Sequence, residues 1–238
     1  MSPISPASSP LEVGAILPAA GRGERAGSGE PKQFRKIAGV PMLLRALRPF
    51  TSHPRISNIV VALPQEFVDR PPDWLAALAG DRVRLVPGGL TRTESVLEGL
   101  RSLPSSVAAI LIHDAARPFV DQETVSAVID RVTAGCSAIA AVPLGDTLKR
   151  AEPQGPRVFE TVSRRGLWRA QTPQGFPRHI LERAYEAWLA NGRNLEATDD
   201  AALVEAVGFP VELVPDRSTN LKITTPDDFL LAEALAAR

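Results

Sequence analysis

One segment of the chain combines small residues, glycines and basic side chains in a pattern that suits phosphate chemistry. Residues 17–34 read LPAAGRGERAGSGEPKQF and directly follow a short apolar run. The small residues let backbone N–H groups approach an anion closely, and the basic side chains supply positive charge. The small residues are Ala19, Ala20 and Gly21, and the basic ones are Arg22, Arg25 and Lys32. The segment is therefore interpreted as a phosphate-binding loop at the carboxyl end of a first strand.

Three kinds of nucleotide loop can be compared with this segment. A P-loop requires Gly-Lys-Ser or Gly-Lys-Thr after its glycines, and neither occurs here. A dinucleotide loop matches, because residues 21–26 read GRGERA and satisfy G-x-G-x-x-A. That loop also needs an acidic residue about 20 positions further on, yet no Asp or Glu occurs between Glu30 and Glu66. A nucleotidyltransferase loop around a triphosphate and a solvated surface turn both remain open.

Two further clusters follow later apolar runs. Gly88 and Gly89 end one such run, and Ser95 lies in the first turns of the next helical segment. Taken alone, this cluster indicates a turn with helix capping. The string HDAARP places Asp114 at the carboxyl end of a buried strand, where a carboxylate suits a cation or a ribose hydroxyl. His113 beside it could be an acid/base group, but a structural role is the preferred interpretation.

The elements that must position these residues alternate between strand-like and helix-like patterns. Apolar runs of strand length occur at 13–17, 59–63, 83–86, 108–112 and 138–142. Segments with helical periodicity lie between them, at 42–50, 92–103 and 121–133. Near-continuous apolar strands separated by helices indicate an α/β fold, with a mostly parallel sheet covered by helices on both faces.

The pattern changes after Pro143. Residues 144–165 carry many charges and prolines with little apolar periodicity, which predicts a protruding β-arm. Further elements are predicted after it, namely helices at 178–191, 198–207 and 226–237 and a strand at 211–214. Residues 1–11, rich in Ser and Pro, are expected to be a flexible tail, and residues 12–238 a single domain.

Composition excludes several classes of protein. The 238 residues include 27 basic and 27 acidic side chains, so the chain lacks the positive charge typical of nucleic-acid and anionic-membrane binders. The single cysteine, Cys136, excludes an internal disulfide and a Cys-rich zinc framework. No apolar run approaches the ~18–20 residues needed to cross a bilayer. The N-terminus has no signal-peptide pattern, so a cytoplasmic location is expected.

Six strings, taken in order, resemble one family. They are PAAG-x-G-x-R…PKQ from Pro18, GG…SV from Gly88, HDAARP from His113, DT-x-K from Asp146, GLW…TPQ from Gly166 and N-x-KIT from Asn220. Together they are similar to the 2-C-methyl-D-erythritol 4-phosphate cytidylyltransferases of the non-mevalonate isoprenoid pathway. The ribitol 5-phosphate cytidylyltransferases share much of this pattern and are the nearest alternative. A dinucleotide-binding oxidoreductase and a non-catalytic nucleotide-binding regulator are more distant ones.

The resemblance implies a Rossmann-like nucleotidyltransferase domain whose β-arm reaches into a neighbouring subunit of a homodimer. It implies transition-state stabilisation by Arg25 and Lys32. Cytidine triphosphate (CTP) would be held by Ala19, Ala20, Gly21, Gly89, Ser95, Asp114 and Ala115. The sugar phosphate would be positioned by Thr147, Arg164 and Lys222, with Arg164 arriving from the partner's arm. Residues 91–94 depart from the acidic stretch that is usual after the two glycines.

The implied reaction joins methylerythritol phosphate to the α-phosphate of CTP. It gives 4-diphosphocytidyl-2-C-methyl-D-erythritol and pyrophosphate. The nucleophile is a phosphate monoester whose second pKa is about 6, so it is ionised near neutrality and no general base is needed. Charge neutralisation is needed instead. Mg²⁺ is the expected cofactor, held mainly by the triphosphate with Asp114 as an additional ligand.

Overall fold

A central sheet and two small hairpins account for the strands of the computed structural model, which describes residues 11–21, 31–193 and 197–237. The strands are β1 (Glu12–Pro18), β2 (Lys36–Ile37), β3 (Val40–Pro41), β4 (Ile56–Leu63), β5 (Val83–Pro87), β6 (Val107–Ile112), β7 (Ser137–Pro143), β8 (Leu148–Ala151), β9 (Val158–Val162), β10 (Trp168–Pro177) and β11 (Val211–Pro215). The helices are α1 (Met42–Thr51), α2 (Gln65–Asp69), α3 (Asp73–Ala76), α4 (Arg92–Ser102), α5 (Gln122–Thr133), α6 (Arg178–Ala190), α7 (Asp200–Ala206) and α8 (Pro226–Ala236).

The central sheet has seven strands in the order β11-β7-β10-β6-β1-β4-β5. Neighbouring strands are parallel except at β10, which is antiparallel to both β6 and β7. The predicted mostly parallel α/β sheet is therefore confirmed. The sequence did not predict β10, because WRAQTPQGFP lacks a strand's alternation of apolar and polar residues and contains two prolines. Its polar side chains from Gln171 onward are buried all the same, namely Gln171, Thr172 and Gln174.

Helices cover both faces of the sheet, as the near-continuous apolar strands predicted. Successive residues of a strand point to opposite faces. Leu17 accordingly packs in one core cluster with Leu47 of α1 and Val128 of α5. Ile16 packs in the other cluster, with Leu181 of α6. The apolar strands are thus buried on both sides, which leaves the loops at their carboxyl ends to carry the chemistry.

The order of the strands creates a crevice beside β1. The chain passes from β1 outward to β4 and β5 and then returns to form β6 on the other side of β1. In open α/β sheets, ligands bind outside the carboxyl ends of the strands at such a reversal. The loops after β1, β5 and β6 all leave the sheet at this edge. They carry the phosphate loop, the two glycines and Asp114, respectively.

The segment predicted as a β-arm forms a hairpin that is separate from the central sheet. Strands β8 and β9 pair antiparallel with each other, and Val158 and Phe159 are exposed. The predicted N-terminal tail lies outside the described residues except for Leu11, which is exposed. The single-domain organisation stays a prediction. Within the part of the chain that the structure describes, no helix has the length and apolar character required to cross a membrane.

Gly175 of β10 lies where α5 packs on the sheet, and its lack of a side chain is essential there. A Cβ added to it would lie 2.6 Å from atoms of Val128 and of Val132. Gly175→Ala is expected to lower the free energy of unfolding by about 1–3 kcal/mol, because overpacking a dense core forces neighbours to move. Urea denaturation measures the effect.

The matched control is Gly155→Ala in the turn between β8 and β9, where an added Cβ would meet no atom of the described residues within 4 Å apart from its chain neighbours. It should change the unfolding free energy by less than about 0.5 kcal/mol. Equal stabilities of the two variants would contradict the packing of α5 against β10.

Candidate functional site

A cavity of about 310 Å³ lies at the carboxyl edge of the sheet, beside β1 and β6. Most of the predicted site residues line it, namely Ala19, Ala20, Gly21, Lys32, Gly89, Ser95, Asp114, Ala115 and Lys222. The remaining predictions fall elsewhere. Arg25 lies outside the described residues, whereas Thr147 and Arg164 are exposed residues of the arm. Arg164 donates a hydrogen bond to the carbonyl of Gly145 on the same arm.

A buried glutamine ties the two ends of the phosphate loop together. Ala19 continues the pairing of β1, since its N–H donates to the carbonyl of Ala62 at 2.7 Å. Gln33 is 5% exposed, and its Nε2 donates to the Ala19 carbonyl at 2.8 Å. Lys32 precedes it in a short 3₁₀ helix, and its ammonium donates to the carbonyl of Ile223. The PKQ string thus places one cation and one anchor at the cavity wall.

The Gly88-Gly89 turn packs closely against the phosphate loop. A Cβ added to Gly88 would lie 2.4 Å from the Cβ of Ala20, so only glycine allows this approach. The predicted helix capping is confirmed, with Thr91 as the N-cap of α4. The Ser95 hydroxyl donates to the Thr91 carbonyl at 2.9 Å and accepts from the Gly89 N–H at 3.2 Å. The turn is rigid and presents backbone groups to the cavity.

Asp114 lies among three cations although it is almost completely buried. Its Oδ1 accepts from Arg92 Nε at 2.8 Å, and its Oδ2 lies 2.9 Å from Lys222 Nζ and 3.6 Å from Arg117 Nε. Burial alone would raise the pKa of Asp114. Arg92, Lys222 and Arg117 outweigh this effect and hold the pKa well below its usual range. The carboxylate is therefore ionised at any working pH, and the surrounding charge is net positive.

This arrangement does not fit a Mg²⁺ ion held by the protein. Both oxygens of Asp114 already face cationic nitrogens. No group of three or more His, Cys, Asp or Glu side chains in the described ranges is placed to bind a metal. Direct coordination by Asp114 would require a cation to move away, and it stays a prediction. The donor set instead suits an anion such as a phosphate.

Lys222 is positioned by anchors on either side of it in the chain. Asn220 is 1% exposed, and its Nδ2 donates to the Thr172 carbonyl of β10 at 2.7 Å. The Ile223 N–H donates to the Ala116 carbonyl at 2.9 Å, and the Ile223 side chain is fully buried. The side chain of Lys222 between them is 43% exposed and extends to Asp114. The N-x-KIT string therefore consists of two structural anchors around one cation at the cavity wall.

A second cavity, of about 220 Å³, adjoins the first. The two cavities share Arg92, Asp114 and Lys222 as a common wall. The second is otherwise lined by Arg117, Ala170, Gln171, Thr172, Gln174, Thr198 and Asp199. Sequence reasoning missed this cavity because β10 was not predicted. The TPQ string and the consecutive polar residues 198–200 were the signals that could have revealed it.

His113 has a structural role, as the sequence suggested. It is fully buried, and its Nε2 lies 3.0 Å from the Arg117 carbonyl. A carbonyl can only accept, so Nε2 carries the proton, and Nδ1 accepts from the Thr172 hydroxyl at 2.9 Å. The same hydroxyl accepts from the backbone N–H of Asp114 at 3.0 Å. A neutral imidazole thus fixes the turn that carries Asp114.

Fold and site together define a class of protein. An α/β sheet with a small-residue loop after its first strand and a cationic cavity at the strand-order reversal is typical of nucleotide-binding enzymes. A family model described as IspD, 2-C-methyl-D-erythritol 4-phosphate cytidylyltransferase, matches residues 13–238. The chain belongs to this family.

Individual relatives agree with this assignment. A protein of Frankia casuarinae named 2-C-methyl-D-erythritol 4-phosphate cytidylyltransferase is 44% identical over 234 residues, which cover 98% of this chain and 84% of the relative. A protein of Salinibacter ruber with the same name is 46% identical over 221 residues, which cover 92% of this chain and 91% of the relative. The crystal structure of the enzyme so named from Thermus thermophilus superposes with a TM-score of 0.80 at 36% identity, covering 96% of this chain and all of that one.

The buried His113 makes stability depend on pH. Burial is the main cause that lowers the pKa of His113 to about 4, against 6.5 for an exposed histidine. The unfolded chain therefore binds a proton that the folded chain does not between these values, so stability falls as pH falls from 6.5 towards 4. At pH 5 this histidine alone should cost about 2 kcal/mol relative to pH 7.

His113→Gln tests this expectation, because glutamine can reproduce the donor and the acceptor but cannot titrate. Denaturant unfolding at pH 7 and pH 5 should show a smaller loss of stability in the variant than in the wild type. His53 also has a pKa lowered chiefly by burial, and it remains in both proteins, so its contribution cancels. Identical losses in the two proteins would contradict the neutral, buried state of His113.

Proposed function

We propose that this protein transfers the cytidylyl group of CTP to 2-C-methyl-D-erythritol 4-phosphate and releases pyrophosphate. The observation that carries the proposal is the wall of Arg92, Asp114 and Lys222 shared by two adjoining cavities. One cavity contains the phosphate loop and the glycine turn, and the other is lined by polar and cationic side chains. Two substrates bound on either side would meet at this wall.

The first cavity suits the nucleotide. The backbone N–H groups of Ala20 and Gly21 would bind the triphosphate, and Lys32 adds a positive charge. The N–H of Ala19 is already paired with the Ala62 carbonyl, so Ala19 would contribute only through its small side chain, which lets the nucleotide approach. The closely packed Gly88-Gly89 turn can read the cytosine through backbone groups and leaves little room for a purine. Asp114 and Ala115, after β6, are placed to hold the ribose. These assignments keep the nucleotide contacts that the sequence predicted, except that Ser95 supports the glycine turn through its hydroxyl.

The second cavity suits an acceptor with one phosphate and several hydroxyls. Arg117 and Lys222 supply positive charge for the phosphate, and the amides and hydroxyls of β10 can pair with the polyol. Thr147 and Arg164, which lie on the arm of the same chain, are proposed to enter the site of a second subunit. The exposed Phe159 of the arm supports an interface there, because large apolar side chains on a protruding hairpin suit burial by a partner.

The reaction then needs charge neutralisation and alignment. An oxygen of the acceptor phosphate attacks the α-phosphorus of CTP, the bond to the β-phosphate oxygen breaks, and the electron pair leaves with pyrophosphate. Lys32, together with Arg25, would stabilise the charge that spreads over the phosphoryl oxygens. The neutral, buried His113 is unsuited to general base catalysis, and the ionised nucleophile requires none. We propose that Mg²⁺ accompanies the triphosphate, since the described wall offers it no vacant carboxylate.

Pyrophosphate release tests the proposed function. CTP should be offered with methylerythritol phosphate, with ribitol 5-phosphate and without an acceptor. Release only with methylerythritol phosphate supports the proposal, and release only with ribitol phosphate would assign the neighbouring activity. Substitution of ATP for CTP should abolish turnover if the glycine turn reads the base.

The cytoplasmic location and the absence of nucleic-acid partners, both expected from the sequence, stay predictions.

Replacement of Lys32 should reduce catalysis rather than binding. Lys32→Ala is expected to lower kcat by about 10²–10³-fold, the usual effect of removing one preorganised charge from a transition state. The KM for CTP should rise far less, as steady-state kinetics can show. Lys32→Arg should restore little activity, because a planar guanidinium does not replace a compact ammonium. Turnover of Lys32→Ala within a few-fold of wild type would reject the role.

The shared active site can be tested by mixing two inactive variants. Lys32→Ala and Arg164→Ala should each inactivate a homodimer in which these residues come from different chains. Random exchange of subunits gives about half heterodimers, and one of the two sites in each heterodimer is then intact. Activity should therefore recover to about a quarter of wild type. No recovery after demonstrated exchange would exclude the arm from its partner's site.

A further inference from the structure

Arg92 joins two carboxylates that come from distant parts of the chain. It is the first residue of α4, and its Nε lies 2.8 Å from Asp114 Oδ1. Its Nη1 lies 2.7 Å from Asp200 Oδ2, although Asp200 is 108 residues away in sequence. Asp200 lines neither of the two cavities, whereas Arg92 lines both. The guanidinium of Arg92 therefore links Asp114, in the wall between the cavities, to Asp200, which lies outside both cavities.

Asp200 is held by hydrogen bonds on every side. It is 1% exposed, and its Oδ1 accepts from the hydroxyl of Tyr185 of α6 at 2.7 Å. Its backbone N–H donates to Gln174 Oε1 of β10 at 3.1 Å. A carboxylate buried this deeply costs several kcal/mol unless it is paired. Burial and Asp200 both raise the pKa of Tyr185, so its hydroxyl remains a neutral donor.

Two of the three cations around Asp114 are held very differently. Arg92 is fixed between two carboxylates, and its side chain is 26% exposed. Lys222 is 43% exposed and reaches Asp114 through a single ion pair. An anionic substrate entering either cavity would compete with Asp114 for the ammonium of Lys222. Asp114 would then keep Arg92 at 2.8 Å and Arg117 at 3.6 Å, and the shorter pair with Arg92 would hold its position.

We propose that Asp200 and Tyr185 fix Arg92 as a positioning residue, and that Arg92 holds Asp114 in place while Lys222 moves from Asp114 to a substrate phosphate. This inference rests on the proposed function, because it assigns the moving cation to the reacting phosphates. Arg92 itself acts through Asp114. Tyr185 and Asp200 act through Arg92, from behind the site.

The proposal predicts a specific kinetic effect. Asp114 lies where the two substrates would meet, so a displaced carboxylate disturbs their mutual alignment in the ternary complex. Each substrate alone keeps its other contacts. Loss of the support should therefore lower kcat, while both KM values change by less than about threefold. Misplacement of a reacting group by about 1 Å can cost as much as 10²-fold in rate.

The experiment is a double-mutant cycle with Arg92→Lys and Asp200→Asn, measured by pyrophosphate release and thermal unfolding. Lysine can reach one carboxylate but not both, and asparagine keeps the shape of Asp200 without its charge. Each single variant should lose about 10- to 100-fold in kcat. The double variant should lose no more than the worse single variant, since both changes break the same support.

Arg178→Lys is the matched control. This arginine of α6 is also largely buried, pairs with Glu182 at 2.7 Å and donates to the Pro104 carbonyl at 2.6 Å. Arg178 lines neither of the two cavities. Its replacement should lower the Tm and leave the kcat of the folded enzyme within about twofold of wild type. If Asp200→Asn does not fold, Tyr185→Phe replaces it in the cycle and should lower kcat several-fold.

The kcat and Tm of these variants distinguish a positioning role of Asp200 and Tyr185 from a purely structural one. Unchanged kcat in folded Asp200→Asn or Tyr185→Phe overturns the proposal, as do independent losses that multiply in the double variant. A fall in Tm with unchanged kcat, as expected for the control, assigns Asp200 a structural role only and also overturns it. The activity of the wild type tests the proposed function, and an inactive wild type would contradict it. The variants test only the positioning role.

Discussion

The buried carboxylate of Asp114 is the interaction on which the arrangement of the site depends. It lies at the end of β6 and pairs with cations from α4, from its own turn and from the C-terminal loop. Like charges that approach this closely would repel one another in a medium of low dielectric constant. Asp114, together with Asp200 behind Arg92, allows these cations to converge without an anionic ligand. The protein thereby prepares a positively charged site for phosphates before any substrate arrives.

The scaffold around this carboxylate explains why so many remote residues contribute. His113 and Thr172 fix the backbone of its turn by hydrogen bonds, and Asn220 anchors the loop of Lys222 to β10. Strand β10, inserted antiparallel between β6 and β7, thus supports both the acid and one of its cations. Preorganised charges of this kind stabilise a transition state without reorganisation during the reaction. The absence of a general base from the proposed mechanism follows from the same chemistry, because the nucleophile is already ionised.

Much of the site could be predicted because its residues follow strands directly. Near-continuous apolar strands must be buried on both faces, so the loops at their carboxyl ends must meet at one edge of the sheet. This reasoning placed Ala19 beside Asp114, the family resemblance added Gly89, and the structure brings all three to one cavity. The partners of Asp114 could not be found in this way. Arg92 begins a helix whose first residues have an ordinary capping pattern. The carboxylate that holds Arg92 in place, Asp200, lies 108 residues further along the chain.

The sequence by itself determined the local elements, the mostly parallel sheet and the loops that carry the phosphate chemistry. It could do so because hydrophobic periodicity reports burial, and glycine and small residues report close approach of the backbone. Only the tertiary structure decided that β10 enters the centre of the sheet, and with it the second cavity. The amide side chains of Gln171 and Gln174 in β10 are buried because they pair with residues far away in sequence, namely Asn220 and Asp199. Long-range pairing of polar groups leaves no periodic pattern, and it becomes visible only when the chain has folded.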